Sequence, residues 1–169
     1  RVRSSAASDV YKRQGSKTVP AMLTKYGYIE DVMKMITKTE APSWGYWVET
    51  MGYSTLPETW TLSPKFADAS LNHVFMGDVS AWMMNQLAGI NHDDSDPGFR
   101  HIRITPHFVK ELDWAKGEYH SVRGLISSQW KREGDKVTLT VTIPSGCTAD
   151  IRVGDKTETV GSGTYVNTY

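Results

Sequence analysis

Residues 97–104, PGFRHIRI, mark the point at which the hydrophobic pattern of the chain changes its period. Within this stretch apolar and polar residues alternate from Phe99 onward, which is typical of a half-buried β-strand. The same alternation occurs in residues 137–143, VTLTVTI, and the pair Gly134-Asp135 before them predicts a β-hairpin with residues 126–132. Further short strands are predicted at residues 149–153 and 156–160. We therefore expect an antiparallel, jelly-roll-like β-sandwich in this part of the chain.

Upstream of residue 90 the apolar residues follow a helical period instead. A helix over about residues 28–39 is predicted from the spacing of Ile29, Val32, Met33 and Ile36. A shorter helical piece is predicted at residues 20–25. The apolar face of another helix, ending before Gly89, is formed by Phe75, Val79, Trp82, Met83 and Leu87.

These two patterns predict an α + β chain in two segments. The polar residues 91–97 are the candidate boundary, so the expected domains are residues 15–96 and 97–169. The Asp-rich part of this boundary, residues 93–96, offers oxygen ligands for calcium but lacks the spacing of a calcium loop. We interpret it as a solvated linker and expect no metal site.

The first 14 residues, RVRSSAASDVYKRQ, show no hydrophobic period and lack the apolar centre of a signal peptide. The stretch DVYKRQ resembles the conceptual translation of a sequencing adapter, and a disordered natural N-terminus is the alternative. Without this segment the chain carries 15 basic and 18 acidic residues, a net charge of −3. If the segment is an adapter scar, the natural protein begins further upstream.

Composition excludes several classes of protein. The 169 residues include 19 basic and 19 acidic side chains, so the basic excess typical of nucleic-acid binding is absent. No apolar run approaches the roughly 20 residues of a membrane-spanning helix. The single cysteine, Cys147, cannot form an internal disulfide. We expect no cofactor and neither nucleic acid nor a membrane as partner, and the oligomeric state is not indicated.

Residues 41–60, APSWGYWVETMGYSTLPETW, form the densest candidate site. They place Glu49 and Glu58 among aromatic residues that include Trp44, Trp47 and Trp60. Glycosidases combine these residue types, because aromatic faces stack on sugar C–H groups and carboxylates act as acid, base or nucleophile. A tryptophan core with solvated glutamates is the alternative, and composition alone slightly favours it.

His73, in the stretch SLNHVFMG, is a second candidate. A lone histidine at a helix start is more often a structural group than a catalytic one. The residues alone therefore leave its role open.

Three stretches taken together resemble bacterial α-L-rhamnosidases of glycoside hydrolase family 78. They are residues 41–60, residues 70–90 (SLNHVFMGDVSAWMMNQLAGI), and PGFRHIRITPHF with the strand-rich sequence that follows it. No single motif decides the matter, but their order and spacing are specific. The resemblance covers the chain from about residue 15 to its end.

The resemblance implies the last helices of an (α/α)6 barrel followed by a β-sandwich. It implies inverting hydrolysis of terminal α-L-rhamnosyl residues with Glu58 as general base, and a rhamnose-containing carbohydrate or glycoside as partner. Trp44, Trp47 and Trp60 would contact the sugar, His73 would hydrogen-bond its hydroxyl groups, and Glu49 would have a supporting role.

The chain also departs from the family pattern. The family's general acid lies in an upstream motif that these residues do not contain, so we expect this chain to be inactive alone. Two alternatives stay open: a related barrel hydrolase or lyase acting on another sugar, and a non-catalytic carbohydrate-binding module. The resemblance favours a periplasmic or extracellular location over the cytoplasm without fixing it.

Overall fold

The computed structural model describes residues 15–60 and 69–169, and the suspected adapter residues 1–14 lie outside them. The chain divides after Trp82 into an N-terminal helical unit and a C-terminal β unit. The predicted α + β class is confirmed.

Short helices and turns make up the described part of the helical unit. They are α1 (Gly15–Lys25), α2 (Ile29–Thr37), a π-helical turn (Tyr46–Thr50), a 3-10 turn (Val74–Met76) and α3 (Asp78–Trp82). A second π-helical turn, Met83–Leu87, opens the β unit. Helix α2 confirms the predicted helix, since Val32, Met33 and Ile36 are buried along one face.

Helix α1 begins five residues earlier than the predicted piece and contains Pro20 in its interior. Proline lacks a backbone N–H and normally weakens a helix at this position. Thr24 donates its hydroxyl to the Pro20 carbonyl oxygen over 2.8 Å and accepts the Trp82 indole N–H over 2.9 Å. The first of these buried bonds lies within α1, and the second links α1 to α3.

The helix predicted around residues 75–87 is confirmed over residues 78–87, where α3 passes directly into the second π-helical turn, whereas residues 74–76 form a separate 3-10 turn. Gly77 ends the 3-10 turn, and its N–H donates to the Val74 carbonyl. Trp82 and Leu87 are buried as expected, but Phe75 and Met83 are 42% and 38% exposed. The predicted apolar face is therefore interrupted where the helical geometry changes.

Eight strands form the β unit. They are β1 (Ile90–His92), β2 (His101–Ile104), β3 (Trp114–Ser121), β4 (Gly124–Glu133), β5 (Lys136–Ile143), β6 (Thr148–Val153), β7 (Lys156–Val160) and β8 (Gly163–Thr168). One sheet has the order β1-β2-β6-β7 and the other β3-β4-β5-β8. The predicted hairpin is confirmed by β4 and β5, which pair around Gly134-Asp135.

The two sheets pack face to face, which confirms a sandwich. Ile102, Ile104 and Ile151 of the first sheet share one buried core with Trp130 and Leu139 of the second. All of these side chains are at most 2% exposed. The pairing of β2 with β6 is parallel, so the first sheet is mixed, not purely antiparallel.

Strand β2 begins at His101, two residues after the predicted start. Gly98 and Phe99 both have positive φ, at 91° and 59°. A left-handed backbone cannot continue a β-strand, and for a non-glycine residue it is strained. The alternation in PGFRHIRI therefore predicts the strand correctly but not its first residue.

Residues 83–96 group with the β unit, whereas the sequence placed the boundary between residues 96 and 97. Strand β1 explains the difference, since Ile90, Asn91 and His92 pair with Ile104, Arg103 and Ile102 of β2. Among the described residues, no helix has the length and apolar character needed to cross a membrane.

Replacing Trp130 by alanine is expected to lower the free energy of unfolding by about 3–5 kcal/mol. Trp130 is fully buried, and its indole N–H donates to the Leu87 carbonyl over 2.8 Å. The matched variant Trp114→Ala changes a side chain that is 62% exposed and should shift stability by less than about 0.5 kcal/mol. Urea unfolding followed by circular dichroism measures both, and equal losses would contradict the assignment of Trp130 to the core.

Candidate functional site

Ser43 begins the segment that carries the candidate site. Its hydroxyl oxygen accepts the backbone N–H of Tyr46 over 2.9 Å, and its O–H donates to the carbonyl of Lys38. A serine that binds the N–H three residues ahead acts as a helix N-cap. Ser43 is 1% exposed, so this cap is internal and fixes the start of the turn that bears Trp44 and Trp47.

Three tryptophans form one cluster in this unit. The ring of Trp60 stacks on Trp47, with centroids 4.7 Å apart and planes 18° apart. Trp44 meets Trp60 edge to face at the same centroid distance, with planes 87° apart. The Trp44 indole N–H also donates to the Met76 carbonyl over 2.9 Å. Both ring geometries are ones that aromatic pairs prefer.

The three rings differ in exposure. Trp44 is 5% exposed and Trp47 is 1% exposed, so both are core side chains of the helical unit. Trp60 is only partly buried. Of the three predicted sugar contacts, Trp60 is thus the most exposed, and it packs against both of the buried tryptophans.

Glu58 lies two residues before Trp60 and is partly buried. Its backbone N–H donates to the Ser70 carbonyl over 2.8 Å, and its Oε2 accepts the Ser70 backbone N–H over 3.3 Å. Both the main chain and the carboxylate are therefore held by one residue of the facing segment.

His73 is brought to the same pair of segments, because its backbone N–H donates to the Leu56 carbonyl over 2.9 Å. Its Nδ1 accepts the Phe75 backbone N–H over 3.2 Å, and the two rings stack with centroids 4.6 Å apart. A neutral imidazole that accepts at Nδ1 carries its proton on Nε2. His73 thus caps the 3-10 turn and offers Nε2–H as a donor.

Glu49 lies in the Tyr46–Thr50 turn and is exposed. The structure thus joins Glu58, Trp60 and His73 through neighbouring segments, while Glu49 lies on the solvent side of its turn. The contribution of Ser70 could not be predicted, because it acts through backbone atoms that every residue carries.

The acidic boundary residues engage in local polar contacts. Asp93 accepts the hydroxyl of Ser95 over 2.7 Å, and this bond together with the Ser95 backbone N–H lowers the pKa of Asp93. Asp96 pairs with Arg100 over 2.9 Å. In the two stretches that the structure describes, no group of three His, Cys, Asp or Glu side chains is placed to hold a metal ion.

Comparison with known families relates both units of the chain to domains of the same family. Residues 13–87 match the bacterial α-L-rhamnosidase six-hairpin glycosidase domain, and residues 89–166 match the bacterial α-L-rhamnosidase C-terminal domain. The chain belongs to the bacterial α-L-rhamnosidase family.

Individual relatives agree with this assignment. The chain is 27% identical to an α-L-rhamnosidase of Streptomyces avermitilis over 143 residues, which is 81% of this chain and 14% of that protein. It is 27% identical to an α-L-rhamnosidase of Alteromonas sp. strain LOR over 154 residues, 85% of this chain and 16% of that protein. The chain therefore spans about a seventh of the length of these relatives.

Solved structures show the same likeness. The Streptomyces avermitilis α-L-rhamnosidase complexed with L-rhamnose superposes with a TM-score of 0.81 at 25% identity, over 92% of this chain and 17% of that one. The native α-L-rhamnosidase of Aspergillus terreus gives a TM-score of 0.83 at 27% identity, over 91% of this chain and 19% of that one.

Replacing Ser43 by alanine is expected to destabilise the tryptophan-bearing turn by about 0.5–2 kcal/mol, because the N-cap acceptor for the Tyr46 N–H is lost. Thermal unfolding followed by near-ultraviolet circular dichroism reports on the tryptophan environment. Ser54 is exposed in the same segment, so Ser54→Ala serves as the matched control. A cap role for Ser43 is excluded if the two variants melt together.

Proposed function

We propose that this chain supplies the general-base side of an inverting α-L-rhamnosidase site, with Glu58 as the base. The observation that carries the proposal is the position of Glu58, tied to Ser70 and two residues from the partly exposed Trp60, in a chain of the α-L-rhamnosidase family. The substrate would be a terminal α-L-rhamnosyl residue of a glycan or glycoside.

Inversion requires two carboxyl groups on opposite faces of the sugar. In the proposed step, Glu58 takes a proton from a water molecule as that water attacks the anomeric carbon. The glycosidic bond breaks at the same time, and a general acid outside this chain gives its proton to the leaving oxygen. The hydrogen bond from the Ser70 N–H to Oε2 would keep the carboxylate oriented while it accepts the proton.

The aromatic cluster would bind the sugar on the exposed side of Trp60. Its stacking on Trp47 fixes the plane of the ring, so little conformational entropy is lost when a sugar C–H face packs on it. The buried Trp44 would contact Trp60 edge to face without touching the ligand. This refines the expectation that all three tryptophans contact the sugar.

Two polar side chains would complete the contacts. His73 would donate Nε2–H to a sugar hydroxyl, since its Nδ1 already accepts the Phe75 N–H. Glu49 would accept a hydroxyl from its exposed turn and would have a supporting role. By itself the 169-residue chain should release no rhamnose, because a general acid supplies roughly 10²–10⁴-fold of the rate.

The test uses a chimera in which this chain replaces the matching region of the Streptomyces avermitilis enzyme. With an aryl α-L-rhamnoside, proton NMR should show initial release of β-L-rhamnose. Glu58→Gln should lower kcat by about 10²–10⁴-fold, because glutamine keeps the contact with the Ser70 N–H but cannot take a proton. The exposed Glu40→Gln is the charge-matched control and should retain full turnover.

Three results would overturn the proposal. Unchanged turnover in Glu58→Gln would move the base elsewhere, with Glu49→Gln the next variant. A chimera that is folded and binds L-rhamnose but hydrolyses nothing would favour a carbohydrate-binding module. Release of the α-anomer would exclude inversion.

A further inference from the structure

A second polar site lies on the outer face of the first sheet of the β unit. Arg103 of β2 is the register partner of Asn91 on one side and of Asp150 on the other. Arg152 pairs in register with Thr157. Paired residues in a sheet point to the same face, and so do residues two apart on one strand. Strand order therefore gathers these five side chains on the face opposite the buried core.

These side chains line a cavity of about 410 Å³ that is open to solvent on the surface of the sheet. Its lining residues are Gln86, Asn91, Arg103, Thr105, Asp150, Arg152 and Thr157, all of them in the β unit. The volume is in the range of small-molecule sites, roughly 300–1,000 Å³, but such sites are mostly apolar. A cavity lined only by polar residues suits a ligand that is itself rich in hydrogen-bonding groups.

Asp150, the acidic residue of the lining, already has partners within the fold. Asp150 accepts the Thr159 hydroxyl over 2.7 Å and lies 3.2 Å from His101 Nε2. The hydrogen bond from Thr159 is the largest cause that lowers the pKa of Asp150, with His101 a smaller one. Asp150 therefore stays ionised at neutral pH, but it does not pair with either arginine of the cavity within 4.0 Å.

The two arginines retain donors for a ligand. Arg103 uses its Nε on the His92 carbonyl, and its Nη2 lies 4.0 Å from Asp94, whose side chain is 85% exposed. Arg152 donates from Nε to the Gly154 carbonyl over 3.4 Å and forms no ion pair with the residues that the structure describes. Such loosely held guanidinium groups favour an anion, which they can bind through two parallel N–H bonds.

The neutral lining residues suit hydroxyl groups. The amide nitrogen of Asn91 lies within hydrogen-bonding distance of the Asn85 carbonyl at 2.9 Å, the Gly89 carbonyl at 3.1 Å and the Thr105 hydroxyl oxygen at 3.0 Å, so Asn91 offers a ligand only its Oδ1 as an acceptor. The Thr105 hydroxyl accepts in that contact and can donate its O–H outward. Gln86 and Thr157 add an amide and a second hydroxyl to the wall. A ligand that carries one carboxylate and several hydroxyl groups would match these arginine, amide and threonine side chains.

We infer that this cavity binds a small acidic carbohydrate, with Arg103 and Arg152 holding its carboxylate and the amide and threonine side chains holding its hydroxyl groups. The site is separate from the tryptophan cluster and does not depend on the proposed hydrolysis. It would let the β unit hold an acidic sugar chain independently of the helical unit.

The test titrates the 169-residue chain with D-galacturonate and D-glucuronate, and with D-galactose and D-glucose as matched neutral sugars. Two-dimensional NMR detects millimolar affinities and locates the affected amides. At least one uronate should bind with saturable shifts in β2 and β6, and about 10-fold more tightly than its neutral sugar. Arg103→Gln and Arg152→Gln should each weaken binding by about 10-fold or more.

Arg100→Gln is the control, because Arg100 is paired with Asp96 and does not line the cavity. Arg100→Gln should leave the affinity for the uronate unchanged. If it weakened binding as much as Arg103→Gln and Arg152→Gln do, the uronate would be attracted by the positive charge of the surface in general and not by this cavity. Equal binding of galactose would overturn carboxylate recognition. Inorganic sulfate binding as tightly as the uronates would overturn sugar recognition. Absence of saturable shifts with both uronates would overturn the site itself.

Discussion

Trp44 donates its indole N–H to the carbonyl oxygen of Met76, 2.9 Å away and shielded from water. A buried indole N–H without an acceptor would cost about 1–3 kcal/mol, so this bond ties the Trp44 turn to the 3-10 turn. Trp44 in turn meets Trp60 edge to face, and Trp60 also stacks on the ring of Trp47. Glu58 precedes Trp60 by only two residues, so the packing of the tryptophan cluster also positions this candidate base.

Much of the β unit could be predicted because its strongest strands carry their core residues in plain alternation, as β5 does with Val137 and Leu139. Strand β3 could not be recognised in this way. A Cβ on its Gly117 would lie 2.5 Å from the Ala88 Cβ and 2.6 Å from the Met84 sulfur, so glycine stands where an apolar side chain would signal a strand. Strand β8 does not follow the alternation of buried apolar and exposed polar residues either, since its apolar residue Val166 is 63% exposed.

The candidate site shows a different limit of sequence analysis. Residue types and spacing indicated a carboxylate among tryptophans, and the structure does bring Trp44, Trp47 and Trp60 into one cluster. Composition does not distinguish a tryptophan that is buried in the core from one that is partly exposed and available to a ligand. That distinction depends on burial, which the structure shows. The orientation of the Glu58 carboxylate depends on the backbone N–H of Ser70, which lies 12 residues away in sequence.

Two arginines of the β unit, Arg132 and Arg103, differ in how far the fold uses their charge. Arg132 is partly buried and donates from Nη2 to the Phe108 and Val109 carbonyls, so its charge is used within the fold. Arg103 stands between the fully buried Ile102 and Ile104 and is exposed on the opposite face. A one-residue slip of β2 would bury the charge and expose both isoleucines, at a prohibitive cost. The alternation that builds the core therefore also fixes the guanidinium group on the outer face, where the fold itself makes little use of it.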